Sequence, residues 1–264
     1  MLQPLRLIRI FIETSVKNET AYNANFWVSL LNSLLNFGTG ILGVIVLFGQ
    51  IETVGGWSFA STLTVLGVYL TVGAVRDLFI SPSLDSLTGM DGEVWIGTFD
   101  FTLLRPVDTQ FLASVRRWRL FALFDLLLGL GVLIVAVLRL GTALTAAHLI
   151  TFLAALAMGT ITLYAILLAF SGLVFWSPGF LFSWVFNGIF QMARYPVRLY
   201  PGALRLLLTW VVPVGVITTI PAQALTGELS PAALIGSLGF SIALFTGASI
   251  LFRGGLRRYA SASS

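Results

Sequence analysis

Apolar residues run along this chain in long blocks, several of them near the ~20 residues that cross a bilayer as a helix. The blocks at about 25–48, 57–75, 120–138, 149–175 and 232–252 each predict one membrane helix. Residues 178–226 are less regular and admit two readings. In one, a short fifth span at about Gly179–Met192 is followed outside by an amphipathic hairpin over Ala203–Ala224. In the other, 177–202 stays cytoplasmic and 203–226 is the fifth span. Length favours the second reading, because 179–192 is short for a crossing. Charge favours it too, since it places Arg194, Arg198 and Arg205 inside, where basic residues collect. Both readings give six spans with both ends cytoplasmic.

Within the blocks the polar positions are patterned. Asn25, Ser29, Asn32 and Asn36 recur at helical spacing on the first span and continue into Gly40 and Gly43. Such a face meets protein rather than lipid, as a subunit interface or a pathway lining, because buried amide contacts favour helix association. Gly239, Ala243 and Gly247 form a small-residue face on the last span, and Ala155 and Gly159 a shorter one on the fourth. Ahead of the first span, Arg6, Arg9, Glu13 and Lys17 line one side of an amphipathic helix and Leu5, Ile8, Ile12 and Val16 the other. That pattern predicts a helix lying in the membrane interface.

The interval from Ser81 to Arg119 breaks the apolar pattern. It holds five of the chain's 11 carboxylates, Asp85, Asp91, Glu93, Asp100 and Asp108, together with Arg105, Arg116, Arg117 and Arg119. We read it as a cytoplasmic loop that receives a push from another protein. Asp85, Asp91 and Glu93 are the expected docking acids, and Trp95 the apolar anchor that interfaces favour. Asp125 stands inside the third span, where a carboxylate is costly; a shallow ion pair with an arginine such as Arg76 is the expected arrangement.

Composition agrees with the pattern. The chain is 57% hydrophobic and 10% charged over 264 residues, against roughly 25% charged in soluble domains. The fold class is therefore an all-α integral membrane protein. The net charge of +4 reflects arginines expected in cytoplasmic loops, and no nucleic-acid partner is implied. Cysteine is absent and His148 is the single histidine, which excludes disulfides and thiolate metal sites and leaves His-dependent catalysis without a second histidine. Residues 1–19 lack the continuous apolar core of a cleavable leader. Lys17 is the one lysine and has no P-loop around it, so no phosphate-binding loop of that type exists here. No cofactor or metal is expected in this chain, and no catalytic residues.

Two segments resemble a known family. Gly97-Thr98-Phe99-Asp100-Phe101-Thr102-Leu103-Leu104-Arg105-Pro106 resembles the G-x-LD-xx-LLRP segment of a bacterial ABC-2-type permease subfamily, departing from it at Thr98 and Phe99. Tyr195-Pro196, Tyr200-Pro201, Leu204-Arg205, Leu208-Thr209, Val212-Pro213 and Ile220-Pro221-Ala222 resemble its second signature, with a departure at Thr226. The resemblance implies the membrane half of an ATP-driven transporter, usually an exporter, in the bacterial plasma membrane. Its implied partners are separate ABC ATPase subunits, which bind the ATP and Mg²⁺, and a second permease chain, the same or different. Membrane lipid surrounds the assembly. It also implies a coupling helix between spans two and three, within about Ser81–Pro106, with Asp85, Asp91, Glu93, Trp95, Asp100 and Arg105 as candidate coupling residues. Re-entrant helices between spans five and six are implied as well, which favours the first reading of 178–226. A lone secondary carrier or channel and a non-transporting scaffold are the alternatives.

The expected layout is a single transmembrane domain over 1–264. It comprises an amphipathic helix (1–24), spans one and two (25–75), a coupling loop (76–119) and spans three and four (120–176). The fifth span with its re-entrant hairpin (177–231) and the sixth span with its tail (232–264) complete it.

Overall fold

The structure, a computed structural model, describes residues 2–20, 23–141, 144–179 and 182–259, the side chains of 2–4, 20, 23–25 and 182–183 excepted. Helix α1 spans Leu2–Thr20 and α2 Asn23–Phe48. A two-stranded hairpin, β1 (Thr53–Val54) and β2 (Trp57–Ser58), leads into α3, Phe59–Val75. Beyond it come α4 (Ser81–Leu84), α5 (Asp100–Leu103) and α6 (Thr109–Val115). The later helices are α7 (Ala122–Leu140), α8 (Ala146–Leu173), α9 (Phe182–Phe190), α10 (Gly202–Leu206), α11 (Ile220–Thr226) and α12 (Pro231–Arg258).

Five helical stretches among the described residues are long and apolar enough to cross a membrane: 26–48, 59–87, 122–140, 146–173 and 231–258. Their starts follow local chemistry. Ser58 and Ser61 cap α3 reciprocally, each hydroxyl accepting the other's backbone N–H. Thr145 and His148 do the same for α8, so the single histidine serves as a cap. These boxes satisfy amide donors that the first turn leaves without partners. Gly141, at φ +64°, ends α7 in the left-handed region.

Helix α3 is the axis of the bundle: 67% of its most apolar 18-residue stretch is buried, against 17% for those of α2 and α12. Glycines permit its closest contact. A Cβ on Gly129 of α7 would lie 2.7 Å from the Thr71 nitrogen, and one on Gly67 would lie 2.9 Å from Leu133. On the other side α8 packs along α12, where Thr162 and Ser241 share a 2.8 Å hydroxyl contact. The face of α12 that packs is Ser237, Ser241, Ala248 and Gly255. The small-residue face of Gly239, Ala243 and Gly247 lies on the other side of α12 and is exposed within this chain.

Span two also continues further than its hydropathy indicates. The second span was expected to end at residue 75, with the loop beginning at 76. Instead the helix runs on through a wide π turn, Arg76–Ile80, into α4 and a 3₁₀ turn at Asp85–Leu87. Ile80, Ser83, Leu84 and Leu87 along it are buried. The first residues of the long polar interval are thus the buried end of α3's own path.

The contacts of 182–226 decide between its two readings. Near the loop end of the bundle, Asn187 accepts a hydrogen bond from Arg76 at 2.9 Å. Further along, Leu199 lies against Gly55 of the β-hairpin at the opposite end. The chain therefore crosses the bundle between these points, through α9 and two 3₁₀ turns at Gln191–Arg194 and Val197–Leu199. The next segments, 202–211 and 215–226, meet at a 73° bend. Ile217, just past the bend, packs on Gly159, about 20 Å into α8 at 1.5 Å per residue. Gly227 returns to His148 at the hairpin end. Both ends of this pair lie at one end of the bundle and its bend at mid-depth, which is a re-entrant hairpin. The fifth crossing reaches about Leu199, beyond the expected Met192.

Candidate functional site

Two places carry polar chemistry that membrane packing alone does not require. The first is a cavity of about 240 Å³ between α2, α3, α7 and α9. Ser29, Asn32 and Asn36 of the predicted stripe line it; the side chain of Asn25 lies outside the described residues. Facing them are Arg76, Asp77, Arg119 and Asp125. Arg76 pairs with Asp77 at 2.7 Å and lies over the Phe190 ring. Arg119 donates to the Ser29 hydroxyl at 3.2 Å. Asp125 hydrogen-bonds Ser33 and sits in the field of Arg119. The expected Asp125–Arg76 pair does not form, because the neighbouring Asp77 takes Arg76 first.

One further arginine joins this wall of α2 from span five. Arg194 hydrogen-bonds Asn36 and Thr39, and its guanidinium lies 5.5 Å from the Tyr69 ring centroid. An arginine within the hydrocarbon costs up to about 2.5–3.5 kcal/mol on insertion scales, and these partners offset part of that cost. Counting Arg194, with Arg198 and Arg205, as cytoplasmic charges was one of the two grounds for the other reading of 178–226, the other being length. The one signal in the sequence was Asn36, a half-buried amide on a membrane helix that needs a partner.

The second place is the loop. Glu93 was expected as an exposed docking acid, and this is a correction: the residue is 7% exposed. One carboxylate oxygen accepts from Arg116 at 2.5 Å and from Arg117 at 2.7 Å. Arg116 also donates to Thr102 on α5, so one ionic knot ties the middle of the loop to its closing end. Gly92 permits the approach, since a Cβ there would lie 2.5 Å from the Thr88 carbonyl oxygen. Phe99, fully buried, anchors the loop in an aromatic cluster with Phe175 and Tyr259. Gly97, at φ +78°, turns the chain to place it. Asp100 stands beside the Tyr259 hydroxyl; burial first, then the hydrogen bond and charge of Asp100, push that phenol up to about 12.

The outward side of the same loop is apolar. Met90, Trp95, Ile96, Phe101 and Leu104 are all more than half exposed, Leu104 reaching 80%. Asp91 and Arg105 are exposed among them, and Asp85 is half-buried. Trp95 is the one anchor here that sequence reasoning selected.

Beyond α6 the chain has no regular structure at 117–119, and four successive N–H groups find four different partners. Arg117 N–H donates to Ser83 Oγ, Trp118 N–H to Ser15 Oγ, Arg119 N–H to the Leu78 carbonyl and Leu120 N–H to Glu19. Buried amides require such acceptors. Ser15 and Glu19 therefore fasten α1 to the loop end, while Leu5, Ile10 and Val16 remain exposed. Burial raises the Glu19 carboxyl above the ordinary glutamate range, against the lowering effect of its hydrogen bond to Leu120 and the charge of Arg119.

A multi-pass helical bundle with a polar recess beside its central helix and a folded loop at one end has the build of a transporter's membrane subunit. Residues 34–263 match the profile of the ABC-2 family transporter proteins, and the chain belongs to that family. Comparison with curated proteins and with solved structures returned no match. Members of this family are membrane components that work with ABC ATPase partners and are not ATPases themselves. The protein is accordingly a membrane permease of an ABC transporter.

Proposed function

We propose that this permease is the membrane half of an exporter that forms its path as a dimer with a second permease chain, the same or different. Separate ATPase subunits, which bind the ATP and Mg²⁺, dock on the loop within 81–106 and drive it. The loop end is then cytoplasmic, both termini lie on that side, and the protein resides in a bacterial plasma membrane. The observation that carries this reading is a single continuous element. The helical path from Phe59 to Leu87 borders the polar cavity at Tyr69, Gly73 and Arg76 and ends in the loop with the exposed apolar rim. A push on that rim, which begins three residues beyond Leu87, reaches the cavity along this path. The π turn at Arg76–Ile80, a kind of irregularity frequent at functional sites, sits between the two. Transport follows only if cargo binds the two resulting states differently.

Reconstitution tests it. The chain with its ATPase in proteoliposomes should move cargo only when ATP and Mg²⁺ are supplied on the loop side. Gradient-driven flux by the chain alone would overturn the reading, as would mapping of the loop to the face opposite the ATPase.

A further inference from the structure

A second cavity, separate from the polar one, opens where α6 meets α8 and α12 near the loop end. Its volume is about 580 Å³, within the ~300–1,000 Å³ of typical small-ligand sites. Phe79, Phe111, Ile161, Ile242 and Phe245 make its walls. Ile161, Ile242 and Phe245 are exposed on helices long enough to cross a membrane, so the cavity opens sideways onto the hydrocarbon.

Its polar groups gather at one edge. Gln110, 9% exposed, donates through Nε2 to Ser249 Oγ at 3.1 Å, while its buried Oε1 accepts from nothing among the described residues. A buried acceptor without a donor is costly, and it points to a ligand that supplies one. At the same edge Arg253 and Asp108 are 3.9 Å apart, both more than half exposed and loosely paired. Asp108 already spends Oδ1 on the Phe111 N–H, capping α6. A guanidinium beside a carboxylate complements a zwitterion: a phosphate for Arg253 and an ammonium for Asp108.

We propose that this cavity holds a bilayer phospholipid with an ethanolamine headgroup. One acyl chain fills the apolar part, the phosphate meets Arg253, and the ammonium lies at Asp108 and donates to Gln110 Oε1. The lipid would wedge α6, and with it the closing end of the loop, against α8 and α12.

Native mass spectrometry of the full-length chain in detergent tests this, with phosphatidylethanolamine, phosphatidylglycerol and phosphatidylcholine of identical chains as probes. The expected result is one retained phosphatidylethanolamine per chain, bound at least about ten-fold more tightly than either competitor. Ile242→Trp should abolish it by filling the mouth. Arg253→Gln and Asp108→Asn should each weaken it several-fold; the latter keeps the oxygen that caps α6, and unchanged thermal unfolding checks that both variants fold. Equal retention of all three lipids, or retention unaffected by Ile242→Trp, would mean loosely associated annular lipid and overturn the proposal. So would tightest binding of phosphatidylglycerol, or a preference for phosphatidylethanolamine that survives both charge variants.

Discussion

The loop between α3 and α7 has two sides that differ in the opposite sense from a soluble surface loop. Inside, Glu93 is buried and accepts from Arg116 and Arg117, Arg116 also donates to Thr102, and the N–H of the buried Phe99 donates to the Glu93 carbonyl. Outside, Met90, Trp95, Ile96, Phe101 and Leu104 face away from the chain. Charge holds this loop together and apolar surface is what it offers. Exposed apolar clusters mark interaction sites, and truncation of buried aromatic anchors is what weakens interfaces most. The loop's acids, which look in the sequence like its docking surface, largely belong to its scaffold or its rim.

Breaking the inner side should have the largest effect. Glu93→Ala leaves Arg116, whose side chain is 15% exposed, without its counter-charge; removing one member of a buried pair costs about 3–5 kcal/mol. Thermal unfolding in detergent should show the loss, and a variant as stable as the parent would refute the knot. The contribution of Arg117 is smaller, because its side chain is 55% exposed and solvent screens it. Breaking the outer side comes next. Phe101→Asp with Leu104→Asp should leave unfolding unchanged but weaken co-purification of the ATPase by ~30-fold or more, the scale of an interface hot spot at about 2 kcal/mol. Full retention of the ATPase would place the docking surface elsewhere.

A third effect is gentler and concerns the strap that α1 lays across the loop's end. The folded-state pKa of Glu19 is raised, so the folded protein keeps this proton to higher pH than the unfolded chain. The stability it contributes is complete below the ordinary glutamate pKa and is lost as pH rises through the raised value. Hydrogen exchange along α1 should therefore quicken, beyond its intrinsic pH dependence, across that window, and Glu19→Gln should flatten the change. The smallest effect belongs to the exposed rim acid: Asp91→Asn should alter ATPase binding by under ~1 kcal/mol, the worth of a typical surface charge pair. A loss as large as that from Phe101→Asp with Leu104→Asp would return the docking role to the acids.

Much of the architecture was legible in the chain because it depends on local properties. Hydrocarbon thickness sets a run length and backbone satisfaction demands a helix, so five spans show in hydropathy alone. The stripe of Ser29, Asn32 and Asn36 was visible by periodicity and does line a polar cavity. The motif around Gly97–Pro106 pointed to the family, and the family profile agrees. The broken fifth crossing was less legible, since two 3₁₀ turns interrupt the periodicity on which span recognition rests.

By itself the sequence determined the solvent this protein lives in, the number of its long helices and which stretch stands apart from them. Only the tertiary structure decided which charges are scaffold and which surface is on offer. Arg116 meets Glu93 from 23 residues away, and Arg194 meets Asn36 from 158. A charge inside a bundle persists only where a partner waits, and no local pattern states where the chain will bring that partner.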